Sequence, residues 1–263
     1  MKKSNLSLLA LFAVILMFSA HSVKAQDRYV MNLQDYNNQP YHFGFILGFD
    51  QMLYSIKTID NLSSVTWHGG NETADLNSDY YYRVKSINAN GSPGFSVGIL
   101  GNLLLNNYVD LRFIPSISFG SRTLVYRIQQ SADGVFTGDK VFRVNKQMNS
   151  TYLIFPLLLK YRSWRSNNVG AYFIGGMSYS IDLAAVKRVG EASNISGIIK
   201  TRTHDAEVQL GTGFDFYTHY FKLGVEAKML YGLNNLIYNE GDIYSGSIRQ
   251  LHSKIFMLSL TFE

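Results

Sequence analysis

Residues 41–49 read YHFGFILGF, a stretch in which large and small side chains alternate. Its odd-numbered positions, from Tyr41 to Phe49, are all large and apolar, whereas Gly44 and Gly48 keep the other face small. A period of two is that of a β-strand, whose successive side chains point to opposite faces. One large apolar face and one small face are typical of a strand with lipid outside and a narrow interior inside.

The same alternation recurs along the chain. In residues 220–231, YFKLGVEAKMLY, apolar side chains alternate with Lys222, Gly224, Glu226 and Lys228. Segments of this kind, near the length of about ten residues that a tilted strand needs to cross a bilayer, are predicted at 41–50, 94–105, 108–128, 141–162, 169–183, 204–217, 220–232 and 252–262. The last segment places Phe256, Leu258, Leu260 and Phe262 on one face, as in terminal strands of outer-membrane barrels, although Glu263 follows Phe262.

Connections between these segments alternate in length. Residues 106–107, 165–168 and 217–219 make tight turns, whereas 51–93, 129–140, 184–203 and 233–251 make long polar loops. Short turns on the periplasmic side and long outer loops are the layout of outer-membrane barrels. An open sheet edge in lipid would leave backbone groups unpaired, so the sheet must close. The predicted fold is therefore all-β, a transmembrane antiparallel up-and-down β-barrel of about eight strands, with an interior filled by side chains.

A secreted soluble β-sandwich or a lipocalin-like barrel is the alternative, since these folds also alternate apolar and polar residues. Aromatic residues near both ends of the apolar faces, such as Tyr41, Phe49, Tyr161 and Tyr179, favour the membrane interpretation. The expected location is the cell outer membrane.

The first 25 residues, with Lys2 and Lys3 before an apolar run, predict a signal peptide cut after Ala25 rather than an anchor helix. The predicted domains are 1–25 signal peptide, 26–40 periplasmic N-terminal segment and 41–263 outer-membrane β-barrel.

The chain has no Cys, which excludes disulfides and a lipid-modified cysteine. The formal net charge is +5; removing Lys2, Lys3 and Lys24 leaves 5 − 3 = +2, scattered singly, so no nucleic-acid partner is expected.

Charged residues on the inward faces form the most informative polar set. Ionisable groups at membrane depth must pair inside the protein, so we expect a lumen ion network rather than an ion path. Its predicted members are Arg112, Lys160, Glu207, Asp215, Lys222, Glu226 and Lys228, with Asp110 and Lys254 on the same faces.

Catalysis and metal binding find little support. The histidines lack the short spacing of metal ligands, and we expect no cofactor. The pairs His204-Asp205 and His252-Ser253 each place their members on opposite strand faces, so neither is a dyad. A cross-strand pairing of His204 with Ser253 or Asp242 stays open, but we expect that the protein is not an enzyme.

The predicted loop 51–93 carries Trp67 and residues 80–83 (YYYR) among polar residues. It is either a solvated loop or a protein interface.

Residues 32–57 (NLQDYNNQPYHFGFILGFDQMLYSIK) and 151–163 (TYLIFPLLLKYRS) resemble the PorT-type outer-membrane barrels of Bacteroidetes. The most specific part of the likeness runs from Tyr36 to Tyr41. The resemblance implies a component of the type IX secretion system, in some relatives with a role in gliding. Partners would be membrane lipid and other secretion-system proteins of the outer membrane or periplasm. Tyr36, Asn37, Asn38 and Pro40 are the predicted partner-docking residues. A small surface enzyme or an adhesin-like barrel are the alternatives.

Overall fold

A computed structural model describes residues 31–70, 76–136, 140–186 and 199–263 of the chain. The predicted signal peptide and residues 26–30 of the N-terminal segment lie outside the described residues. Asn32–Glu263 forms one compact unit. Within the described ranges, no helix is both long enough and apolar enough to cross a membrane.

The unit is built from antiparallel strands in sequence order. A single 3-10 turn at Tyr36–Asn38 precedes them. The strands are β1 (Tyr41–Thr58), β2 (Trp67–His68), β3 (Tyr81–Asn106), β4 (Val109–Phe113), β5 (Ser116–Ser131), β6 (Val141–Arg162), β7 (Val169–Asp182), β8 (His204–Tyr217), β9 (Lys222–Gly232) and β10 (Ile248–Phe262).

The sheet closes into a ring of eight strand positions. Strand β1 pairs with β10 on one side, with Phe45 opposite Phe262, and with β3 on the other, with Phe45 opposite Ile99. Strands β4 and β5 share one position between β3 and β6, interrupted at Ile114 and Pro115. The two-residue β2 pairs with the first two residues of β3. The predicted up-and-down barrel is therefore confirmed, and closure pairs the backbone groups that an open edge would leave exposed to lipid.

A belt of exposed apolar side chains surrounds the part of the ring nearer the short turns. Phe43 is 76% exposed, Phe173 69% and Ile99 67%. Continuous apolar surface of this extent is what lipid covers. Tyr41 and Tyr161 lie at the end of the belt with the short turns, and Tyr179 lies at the other. We call the end with the short turns the periplasmic end.

Several strands continue well beyond this belt. β1, β3 and β6 have 18, 26 and 22 residues, whereas about 9–11 suffice to cross a bilayer. The predicted loop 51–93 is therefore wrong in its bounds, because β1 continues to Thr58 and only residues 59–80 connect it to β3. The outward positions of β3 there, such as Asn88 and Asn90, are polar because they face water, which gives these residues the composition of a loop.

The extended strands enclose a second hydrophobic core outside the lipid belt. Val84, Leu124 and Ile128 are fully buried there, together with Trp67 and Tyr82. An interface role for Trp67 and Tyr82 is therefore not supported, since these aromatic side chains pack inside the protein. Register between β3 and β5 shifts between Gly91 and Phe95, where the strands leave the belt. Such a bulge bends and twists the strands at that point.

Candidate functional site: the closed lumen and its periplasmic cap

Buried charges meet in the lumen at Glu226 on β9. Its Oε2 lies 3.1 Å from Nη1 of Arg112 on β4, and the Tyr172 hydroxyl of β7 donates to the same oxygen at 3.0 Å. Its Oε1 lies 2.9 Å from Nζ of Lys228. One carboxylate thus links strands on opposite sides of the barrel.

Two further pairs adjoin this centre. Lys160 Nζ lies 2.5 Å from Asp215 Oδ2, and Lys222 Nζ lies 2.9 Å from Glu263 Oε2. Glu263 also pairs with Arg112. These side chains are at most a few per cent exposed, so each charge depends on its partner for compensation.

Glu263 was not among the predicted network residues, although its position could have been read from the sequence. Inward positions on β10 are odd-numbered, from Leu251 to Thr261, and Glu263 continues that parity. Apart from the network, Asp110 on β4 pairs with Arg162 Nε at 3.1 Å.

Two predicted positions differ from expectation. Glu207 forms no ion pair among the described residues; its carboxylate accepts hydrogen bonds from Ser178 at 2.9 Å and Ser180 at 3.0 Å. Hydroxyl donors on the facing strand β7 satisfy it in place of a cation. Lys254 points outward, with Nζ 5.0 Å from the centre of the exposed Phe256 ring, because even-numbered positions of β10 face lipid and solvent.

Side chains fill the lumen around the network. A Cβ added at Gly213 would lie 2.5 Å from the Tyr172 ring, so this glycine makes room for that ring. A void above the network, lined in part by Gln209, Lys228 and Met257, measures about 10 Å³. That volume holds one water molecule at most, and the neighbouring Ile114, Ile154 and Leu230 are buried, so the lumen is closely packed at this level.

At the periplasmic end, residues 32–40 fold back against the barrel, and we call them the cap. The Tyr36 ring stacks on His42 at 4.0 Å, and His42 Nε2–H donates to the Tyr36 backbone oxygen at 2.7 Å. The Tyr217 hydroxyl donates to Asn37 Oδ1 at 3.0 Å. Burial raises the pKa of the Tyr36 phenol well above its usual range, so this group stays neutral.

Arg165, in the turn between β6 and β7, holds the start of the cap. Its Nη1 donates to the Leu33 backbone oxygen at 3.2 Å and its Nη2 to that of Asn32. Its guanidinium lies 3.7 Å from the centre of the Tyr217 ring. Of the predicted docking residues, Tyr36 and Asn37 are therefore engaged with the barrel, whereas Asn38 and Pro40 are exposed.

The candidate catalytic residues are separated by the sheet. His204 points outward and shares a hydrogen bond with the Tyr179 hydroxyl at 2.8 Å, whereas Asp205 points inward and accepts from the Asn234 amide. Ser253 points inward too, and its oxygen accepts from Arg122 Nη2 at 2.8 Å. No described group of three or more His, Asp or Glu side chains is arranged to hold a metal ion.

Residues 25–238 match the family described as "Outer membrane protein beta-barrel domain". No curated protein matches the chain. Among solved structures, the chain is similar to Neisserial surface protein A at 9% identity and a TM-score of 0.39, covering 85% of this chain and 99% of that one. It is similar to the outer membrane protein OprG of Pseudomonas aeruginosa at 11% identity and 0.37, covering 83% and 95%.

A third similar structure is the outer membrane protease OmpT of Escherichia coli, at 12% identity and a TM-score of 0.39, covering 85% of this chain and 96% of that one. Similarity at this level carries no information about activity. The family match, by contrast, covers most of the chain. The chain therefore belongs to the outer membrane protein beta-barrel domain family, and its location is the outer membrane.

Proposed function

We propose that this barrel is a component of a type IX protein secretion apparatus, and that it acts through protein contacts and not as the channel. The resemblance of residues 32–57 and 151–163 to PorT-type barrels supports the secretion role. The observation that carries the mechanism is the closed lumen, in which Arg112, Lys228 and Tyr172 all contact the carboxylate of Glu226. A barrel of eight strand positions filled in this way has no room for a protein cargo. The protein would also support gliding motility in cells whose secretion apparatus takes part in it.

The contact surface in this proposal is the outer side of the cap. Gln34, Asp35, Asn38, Gln39 and Pro40 are exposed, while the side chains between them hold the segment against the barrel. A segment fixed in this way loses little conformational entropy when a partner binds. The partner would be another secretion component on the periplasmic side.

We also propose that the protein is not an enzyme. The proposal rests on the separation of His204 and His252, which point outward, from Asp205 and Ser253, which point inward. A nucleophile and its base must come within hydrogen-bond reach. If the protein were instead a surface enzyme or an adhesin-like barrel, deleting its gene would leave cargo export normal.

The test is export of a cargo protein that carries a C-terminal sorting domain. Deleting the gene should leave this cargo in the periplasm, and the wild-type protein should restore its release. A variant with Ser at positions 34, 35, 38 and 39 should assemble normally but fail to restore release. The matched control, Asp60→Ser/Arg249→Ser, removes an exposed ion pair at the end of the barrel opposite the cap.

Barrel abundance and heat-modifiable gel migration must be equal in all strains, so that lost export reports on contact and not on assembly. Normal cargo release by the deletion strain would overturn the secretion role. Normal release by the cap variant would overturn the docking surface alone.

A further inference from the structure

The outer face of strands β3, β5 and β6 beyond the lipid belt carries a row of exposed cations. Arg127 on β5 stands opposite Arg143 on β6 and opposite Ser86 on β3. Lys85 lies beside Ser86, where the register of β3 shifts by one residue. Lys85, Arg127 and Arg143 are exposed, and none forms an ion pair with another described residue.

Like charges placed directly opposite each other on neighbouring strands destabilise a sheet. Strands lie about 4.8 Å apart, so the three cations are close neighbours. The three segments 81–91, 120–131 and 141–151 contain no Asp or Glu that could compensate them. The arrangement therefore suits an anionic ligand from outside the chain, which would supply the missing negative charge.

Between this row and the lipid belt, the same face carries uncharged polar side chains. Asn88 and Asn145 flank Val125 in one register row, and Asn90 and Gln147 flank Thr123 in the next. The four amide side chains are exposed. Each amide offers two donors and an acceptor, which is the complement that sugar hydroxyl groups require.

The position of the face indicates the source of the ligand. The exposed rings of Phe95 and Phe119 stack at 5.1 Å at the edge of the lipid belt. Arg127 follows Phe119 by eight residues on the same strand, a distance of about 25 Å at the usual rise per residue. The face thus rises from the membrane surface through the layer that the saccharide chains of outer-leaflet glycolipids occupy.

We propose that this face binds the anionic saccharide chains of the outer-leaflet glycolipid. The cation row would bind their phosphate or carboxylate groups, because arginine matches such anions with two parallel hydrogen bonds. The amide rows would bind the sugar hydroxyls. A protein partner is less suited, since the central part of the face offers no exposed aromatic anchor of the kind that protein interfaces use.

The test is binding of the purified full-length protein in detergent to saccharide chains cleaved from the lipid of the outer-membrane glycolipid. Titration calorimetry should detect binding by the wild-type protein that weakens as salt rises. R127S/R143S should weaken it about tenfold or more, since it removes two charge-assisted contacts. N88A/N145A should weaken it with the salt dependence retained. R249S, which removes an exposed cation elsewhere, should bind as the wild type does.

Three results would overturn the proposal. R127S/R143S could bind the saccharide as tightly as the wild type, or only the intact glycolipid and not its free saccharide chains could bind. An acidic peptide of matched charge could bind the wild type as tightly as the saccharide, which would assign the face to acidic proteins. Heat-modifiable migration of each variant controls for folding.

Discussion

The Glu226 carboxylate and the Arg112 guanidinium lie 3.1 Å apart, with both side chains fully buried in the lumen. Glu226 belongs to β9 and Arg112 to β4, so the pair spans the barrel interior. A buried pair of this kind contributes little when intact relative to a well-packed apolar pair, but breaking it leaves an uncompensated charge.

Glu226→Leu should therefore destabilise the barrel strongly. The substitution leaves Arg112 and Lys228 without this carboxylate and removes the acceptor of Tyr172, at a cost of about 3–5 kcal/mol. Glu226→Gln keeps the shape and one acceptor, so its effect should be smaller. The readout is the temperature at which the protein loses its SDS-resistant gel migration. An unchanged temperature for Glu226→Leu would show that the carboxylate does not compensate these cations.

Gly213→Ala should also destabilise the barrel, because the added methyl group would lie 2.5 Å from the Tyr172 ring. Overpacking of this kind costs about 1–3 kcal/mol. Gly170→Ala is the control, since its Cβ would meet Tyr217 only at an ordinary 3.9 Å. Urea unfolding of both variants in lipid vesicles measures the difference, and equal midpoints would contradict the assigned packing.

Leu124→Ala should loosen the part of the barrel outside the lipid belt. Leu124 is fully buried in the second core, and such a truncation costs about 2–5 kcal/mol. Val125→Ala, on the opposite face of the same strand, should have a much smaller effect. External protease added to intact cells should cleave the first variant within residues 81–151 faster than the second. Equal cleavage would mean that this core does not hold the outer sheet.

The barrel could be predicted from sequence because period-two alternation and turn lengths are local properties of the chain. Residues 41–49 and 220–231 each show their two faces without reference to any other segment. The sequence does not indicate that β1 extends to Thr58 or that β3 begins at Tyr81, because the outward side chains beyond the lipid belt are polar and have the composition of a loop.

Pairing within the lumen was only partly predictable. Parity on each strand placed Arg112, Lys160 and Glu226 inward, but the choice of partners depends on the register between strands that are distant in sequence. Glu207 illustrates this limit, because only the register reveals that Ser178 and Ser180 face it. The fold-back of Tyr36 onto His42 likewise depends on the finished periplasmic end and has no local signal.

Arg165→Ala should free the cap from the barrel. The substitution removes the donors to the Asn32 and Leu33 backbone oxygens and the stacking on Tyr217. The backbone amides of Tyr36, Asn38 and Gln39, which donate hydrogen bonds within the local turn, should then exchange with deuterium faster. Arg249→Ala, at the other end of the barrel, should leave that exchange unchanged. Equal exchange in both variants would show that Arg165 does not hold the cap.

A lumen closed by side chains should conduct no ions, and single-channel recording of the purified wild-type protein in a planar bilayer measures this. We expect no conductance steps above the bare bilayer, either with the cap in place or in Arg165→Ala, because the ion network around Glu226 fills the barrel on the outer side of the cap. Regular steps of ion current from the wild-type protein, absent in a heat-unfolded sample, would contradict it.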